Sequence, residues 1–200
     1  MERFGPTRRG GPVFRWLGEP LAIDLANTVM VVGDGGSVDL LGDRSDLRRW
    51  LDGERKHLGD YGFAVAHLDE IRELRDAVRA LLEASAQGRA LPRAALERVN
   101  AASAAAPVAR QLEAGPEGEP QAVERDAGGD RMAALRGKLA RSTIALLAGP
   151  ERQRLRICEA PSCGMFFLQA SGRRWCCAAC GNRARVARHY RRTRAVRAAA

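Results

Sequence analysis

The sequence predicts a mainly α protein with minor β content. A helical N-terminal domain is expected over residues 19–150, and residues 151–200 are expected to form a small cysteine module ending in a basic helix. Three observations predict this. Apolar residues recur at three- and four-residue steps between Ser45 and Gly149, all five cysteines fall within the 23 residues from Cys158 to Cys180, and positive charge is concentrated in the same region. A chain of 200 residues is long enough for one ordinary domain plus a small module.

Residues 1–18 are rich in Gly, Pro and Arg and are expected to be flexible until Trp16 and Leu17 reach a core. The segment Glu19 to Val32 carries two patterns. Leu21, Ile23 and Leu25 alternate as in a strand, whereas Leu21, Leu25, Thr28 and Val29 share one helix face, with Pro20 suited to a first turn. A helix giving way to extended chain near Val31 is the favoured reading. Gly33 to Gly36 then reads as a turn, and Val38 to Leu41 as a short strand.

Ser45 can cap a short helix burying Leu47, Trp50 and Leu51, with Asp46 near its positive end. Leu68, Ile71, Leu74, Val78, Leu81 and Leu82 mark the clearest helix, with Asp69 and Glu70 in its first turn and Gly88 beyond its end. Pro92 opens another, with Leu96 and Val99, which stops before Pro107. Asp130 can cap a helix in which Met132, Leu135, Leu139, Ser142 and Leu146 face one way until Gly149-Pro150. Between these two helices, residues 113–129 are too polar and too broken by Gly and Pro to pack. They read as a loop with room for a short hairpin.

The net charge of +9 is unevenly distributed. Residues 151–200 hold 12 Arg against Glu151 and Glu159, whereas residues 1–150 hold 21 Lys and Arg against 22 Asp and Glu. Such a tail attracts polyanions, with DNA or RNA ahead of anionic membrane surfaces. No apolar run is long enough to span a bilayer, and the N-terminus lacks the apolar stretch of a signal peptide, so a cytoplasmic protein without a membrane role is expected.

The cysteines follow the pattern Cys158-x4-Cys163-x12-Cys176-x3-Cys180. Zinc takes four soft donors at tetrahedral corners. Two close pairs separated by about a dozen residues let two tight turns supply them. Pro161 and Gly164 sit where the first turn must bend, and Phe166, Phe167 and Trp175 can shield the site from water. An odd number of cysteines in a chain without a secretion signal argues against a disulfide framework. Incidental burial and an iron–sulfur cluster are the alternatives to zinc. Spacing leaves open which of the adjacent pair Cys176 and Cys177 is the ligand, and His189 is a further candidate donor, although four cysteines already fill the sphere.

The run from Arg173 to Arg183, Arg-Arg-Trp-Cys-Cys-Ala-Ala-Cys-Gly-Asn-Arg, continuing to Tyr190, resembles the CGNR zinc finger, named for residues such as Cys180-Gly181-Asn182-Arg183. The resemblance implies that Cys158, Cys163, Cys176 and Cys180 hold one structural Zn2+ per chain, with Cys177 standing where the family commonly has Ser. Upstream, Leu21-Ala-Ile-Asp-Leu-Ala-Asn-Thr28, Trp50-Leu51 and Leu74 to Leu82 resemble the ABATE domain that precedes this finger in bacterial transcription regulators. The pair implies a DNA-binding transcription regulator whose N-terminal domain senses a ligand or partner.

After Cys180 a helix is expected in which Val186, Tyr190 and Thr193 face the finger and arginines face outward, suited to a major groove or to phosphates. The candidate nucleic-acid residues are Arg173, Arg174, Arg183, Arg185, Arg188, His189, Arg191 and Arg192. Arg183 has a second reading as a brace for the cysteine turn. Asp24 and Asn27 are candidates for lining a ligand pocket or for bonding buried backbone. No nucleophile and base pairing, phosphate loop or carboxylate pair stands out, so an enzyme is not expected. The rival to a DNA regulator is an RNA-binding or protein-interaction adaptor. Dimerisation would favour the DNA regulator, since two fingers could read paired half-sites.

Overall fold

The computed structural model describes residues 13–32 and 36–198, with side chains placed over residues 13–31 and 36–194. Residues 1–12 of the expected flexible segment and residues 33–35 of the expected turn lie outside the described residues. The chain is 54% helical and 15% strand, which makes it mainly α. No helix among the described residues is long and apolar enough to cross a membrane.

A short helix α1 (Leu21–Ala26) leads into strand β1 (Val29–Val32), which pairs antiparallel with β2 (Gly36–Asp39). Both patterns of the Glu19–Val32 segment are thus realised in succession, the helix ending earlier than its apolar face suggests. Helix α2 (Arg44–Gly53) is capped by Asp43, not by Ser45. The Asp43 carboxylate accepts from the Ser45 and Asp46 amides while Asp46 accepts from the Asp43 amide, so the cap is reciprocal and lies two residues earlier than expected. The short α3 (Arg55–Leu58) and a 3-10 turn (Gly62–His67) lead to the longest helix of the N-terminal region, α4 (Leu68–Ala86).

Helix α5 (Arg93–Ala104) and α6 (Arg131–Ala148) pack against α4, and α1 lies across α4 and α6. Asp130 caps α6 by accepting from the Met132 and Ala133 amides. Ser142, expected on the apolar face of α6, accepts the Ala22 amide of α1 at 3.1 Å. Gly137 lets α6 approach α5 closely, because a Cβ there would stand 2.5 Å from Ala106 Cβ. Trp50, Ile23, Leu25, Ile71, Leu81, Leu82, Leu135 and Leu139 are fully buried between these helices.

Residues 113–129 are more ordered than a broken loop. All but the last three belong to an antiparallel hairpin of two seven-residue strands, β3 (Val108–Ala114) and β4 (Pro120–Asp126), closed at Gly115–Gly118 and largely exposed on both faces. Cross-strand pairing and ion pairs such as Arg125 with Glu113 hold it, with little apolar burial, so hydrophobic patterning carries no sign of it. After a 3-10 turn (Pro150–Arg154), a second hairpin of β5 (Leu155–Ile157) and β6 (Phe166–Leu168) carries the first cysteine pair, and helix α7 (Ala178–Ala198) closes the chain.

Candidate metal centre and basic helix

The β5–β6 hairpin faces two ways because strand side chains alternate. Leu155, Phe166 and Leu168 enter the core of the helical region, whereas Phe167 enters a second core with Met165 and the cysteines. Phe166 therefore does not shield the cysteines as expected. Phe167 does, with Trp175 packed beside it.

Cys158 and Cys163 bracket the tip of this hairpin. The Cys158 amide donates to Met165 O at 2.8 Å and the Gly164 amide to Cys158 O at 3.2 Å. The turn needs left-handed backbone at Ser162 (φ 56°) and Gly164 (φ 104°). At Gly164 a side chain is also excluded by Val31, whose Cγ2 would lie 2.7 Å from an added Cβ. Cys176 and Cys180 come from the turn entering α7, where the Cys180 amide donates to Cys177 O at 3.1 Å. Helix α7 starts at Ala178, four residues earlier than the stretch the sequence suggested, so Cys180 lies in its first turn.

The Sγ atoms of Cys158, Cys163, Cys176 and Cys180 all lie within 4.8 Å of one another, and all four residues are buried. Cys163 and Cys176 are 3.7 Å apart, Cys176 and Cys180 3.4 Å, and Cys180 and Cys163 3.7 Å. Thiolates about 2.3 Å from one tetrahedral metal stand about 3.8 Å apart, so the set can hold a metal ion. Cys177 is also buried, but its sulfur is not among the four.

Hydrogen bonds from Cys163 and Cys176 pull the Cys158 thiol far down, contact with Cys158 and Cys163 pushes Cys176 up, and burial pushes Cys180 up to about 12. Sulfurs this close cannot all ionise without a cation among them. Arg183 Nη2 donates to Cys180 Sγ at 3.0 Å and supplies one positive charge.

A polar seam fastens this module to the helical region. Asn27 Nδ2 donates to Phe166 O at 3.0 Å and Asn27 Oδ1 accepts the Phe166 amide at 2.8 Å, so one side chain pairs with β6 as a strand would. Arg79 places its guanidinium 5.3 Å from the Phe166 ring centroid and donates to Ala26 O and Val29 O. Buried Glu19 accepts the Leu168 amide at 3.1 Å and the Arg173 guanidinium at 2.7 Å, and Arg173 also donates to Cys176 O at 2.6 Å. Glu19 and this duty of Arg173 escaped the sequence reading. A lone acid beside the apolar run at Pro20 was the only available hint.

Of the two pocket candidates, Asn27 is thus spent on β6. Asp24 is enclosed within the core, where burial, with Glu54 and then Glu19 adding repulsion, raises its carboxyl to about 8. Its Oδ1 has no hydrogen-bond partner, nor does Nε1 of buried Trp50. Glu54 is itself pushed up by burial, against the pull of His57, which bonds it at 2.8 Å. Both candidates are therefore buried, Asn27 against β6 and Asp24 among the core helices.

The basic residues divide in two. Arg173 and Arg183 are engaged inside the module, whereas Arg174, Arg185, Arg188, His189, Arg191 and Arg192 reach its surface. The expectation that Val186, Tyr190 and Thr193 face the finger is overturned. Val186 is 53% and Tyr190 64% exposed, and Thr193 is exposed as well. The buried side of α7 is that of Cys180 and Ala184, because the cysteine that anchors the helix also sets its rotation.

Two known protein families match the chain. Residues 154–193 match the CGNR zinc finger, and residues 19–150 match the ABATE family, described as "Putative stress-induced transcription regulator". A search of curated proteins finds no match. The chain belongs to the ABATE family and carries a CGNR zinc finger.

Proposed function

We propose that the protein is a zinc-dependent DNA-binding transcription regulator, in which Cys158, Cys163, Cys176 and Cys180 hold one Zn2+ and α7 meets the nucleic acid. The observation that carries this reading is α7 itself. From Arg185 to Arg194 it carries five arginines and only one half-covered side chain, Ala187, so it is a basic rod launched from a braced cysteine cluster. A polyanion is the partner that such a rod fits. The working boundary falls near residue 150, with residues 151–200 contacting DNA and residues 19–150 receiving a ligand or partner. A homodimer would present two such helices to paired half-sites. A bacterial regulator of this kind acts in the cytoplasm. Exposed Tyr190 favours one second reading, an RNA-binding adaptor, since an open aromatic ring can stack on an unpaired base.

Fluorescence anisotropy of intact zinc-loaded protein with duplex DNA and with structured RNA, over a salt series, tests both readings. If five or so phosphates are neutralised, log K should fall against log salt with a slope of roughly −4 to −5. Substituting Arg185, Arg188 and Arg192 by Ala together should flatten that slope by about 3 contacts' worth while zinc is retained. Unchanged DNA binding in the zinc-loaded triple variant, or consistent preference for RNA, defeats the DNA-regulator reading.

A further inference from the structure

We infer that Asn182, Val186 and His189 form the base-reading strip of α7, and that Arg185, Arg188 and Arg192 are phosphate contacts along one flank of it. The inference rests on the DNA-binding reading and assigns a role to each face of the helix.

The assignment follows from which face the finger uses. Cys180 is fully buried and Ala184 nearly so, which fixes the inward side of α7. At 3.6 residues per turn, Asn182, Val186 and His189, spaced i, i+4 and i+7, stack on the opposite side. All three are exposed, Val186 to 53%. Thr193 continues the line at i+11, although its hydroxyl is turned back to His189 O at 3.2 Å. Arg185, Arg188 and Arg192 share the flank on one side, and Tyr190 and Arg194 lie on the other. A strip of one amide, one apolar and one imidazole side chain, edged by guanidinium groups, complements a DNA groove, whose floor carries base edges and whose walls carry phosphates.

Each member of the strip has a defined partner chemistry. The Asn182 amide can pair with the N6 and N7 edge of adenine, Val186 can pack on a thymine methyl, and His189 can donate to N7 or O6 of guanine. Arg185 Nη1 donates to Asn182 Oδ1 at 3.0 Å, which holds the amide in place and leaves its NH2 group and one oxygen lone pair free. From Asn182 to His189 the helix rises about 10 Å, roughly the length of three base pairs. The start of the helix is held firmly enough to read, since Trp175 packs on Gly181, where an added Cβ would sit 3.1 Å from the indole ring.

The test is enrichment of binding sites from a randomised duplex pool with the full-length, zinc-loaded protein, followed by the same selection with Asn182→Ala, Val186→Ala, His189→Ala and Arg188→Ala. The natural protein is expected to enrich a short motif. Each strip substitution is expected to relax preference at one position of that motif by about 5- to 100-fold while leaving affinity for unrelated duplex within about 2-fold. Arg188→Ala is expected to weaken all duplexes alike and to keep the motif. Zinc content, measured on each variant, should be unchanged, because none of these residues is among the four converging cysteines and none of their side chains hydrogen-bonds to one. If duplex DNA is bound but no motif is enriched, or if the strip substitutions weaken all sequences equally, the strip does not read bases although the DNA-binding reading survives. If duplex DNA is not bound at all, the inference and the DNA-binding reading fall together.

Discussion

A cysteine joins a metal site only if its sulfur can point at the other donors, and neighbouring residues in a chain point apart. That geometry separates Cys176, 3.4 Å from Cys180, from Cys177, which is buried without joining the four. Cys177→Ser should therefore retain one zinc per chain. Cys158→Ser, Cys163→Ser, Cys176→Ser and Cys180→Ser should each lose it. Metal analysis of purified variants checks this, and equal loss from Cys176→Ser and Cys177→Ser would refute the assignment. Iron with sulfide in the natural protein would replace zinc by a cluster. The four converging cysteines were legible from their spacing, and the choice between the adjacent pair from the family resemblance alone. Asp24 was legible only as a choice between pocket and core. Its carboxyl titrates near 8 in the folded chain against about 3.9 when unfolded, so folding takes up a proton between these values. Stability from this group is complete below about pH 4, falls as pH rises, and is lost above about 8, at up to about 1.4 kcal/mol per pH unit. Asp24→Asn should flatten the decline of melting temperature from pH 5 to pH 8, because the amide keeps the shape without the charge. Parallel curves for the two proteins would show that Asp24 does not carry the effect.

At the scale of elements, periodicity served well where a helix buries one face and poorly where backbone pairing supplies the stability. Helices α4, α5 and α6 declare themselves through apolar steps and through punctuation at Pro92, Asp130 and Gly149. The β3–β4 hairpin does not, because its side chains are mostly exposed and its register comes from backbone bonds. The rotation of α7 was misread for a related reason. Its arginine-rich sequence has no apolar stripe, so only the position of Cys180 tells which side is inward. The pairing of Asn27 with β6 is invisible to any local pattern, since 139 residues separate the partners. Asn27→Ala would strand a buried amide and a buried carbonyl at Phe166, each costing about 1 to 3 kcal/mol. Thermal unfolding should register a loss of roughly 2 to 5 kcal/mol. Asn27→Asp, which keeps an acceptor for the Phe166 amide but no donor for its carbonyl, should also destabilise the fold. A neutral result for Asn27→Ala would mean that water replaces both bonds without cost.

Across the whole molecule, the family boundary between residues 150 and 154 does not coincide with a break in the packing. Leu155, Phe166 and Leu168 belong to the core formed by α1, α4 and α6, while the other face of the same hairpin carries Cys158 and Phe167. Glu19 adds a polar link, joining the Leu168 amide to Arg173 and through it to Cys176. A hairpin of two three-residue strands has little stability of its own, so its order depends on both cores together. Removing the metal should therefore loosen β5 and β6 and withdraw their side chains from the helical core, instead of unfolding a separate finger. Withdrawing Phe166 alone is comparable to a large-to-small core substitution of roughly 3 to 5 kcal/mol. For a chain of this size that corresponds to a fall of about 6 to 20 °C in the melting temperature of the helical region. Circular dichroism at a helix band, recorded with and without a strong zinc chelator, measures the shift. Val31 contacts Gly164 and Arg79 covers Phe166, so a fluorophore attached in α4 away from these contacts should report the same transition as the helix signal. If chelation strips the zinc and the helical transition stays where it was, the two cores are energetically independent. The seam at Glu19, Asn27 and Arg173 then transmits nothing between the finger and the helical region.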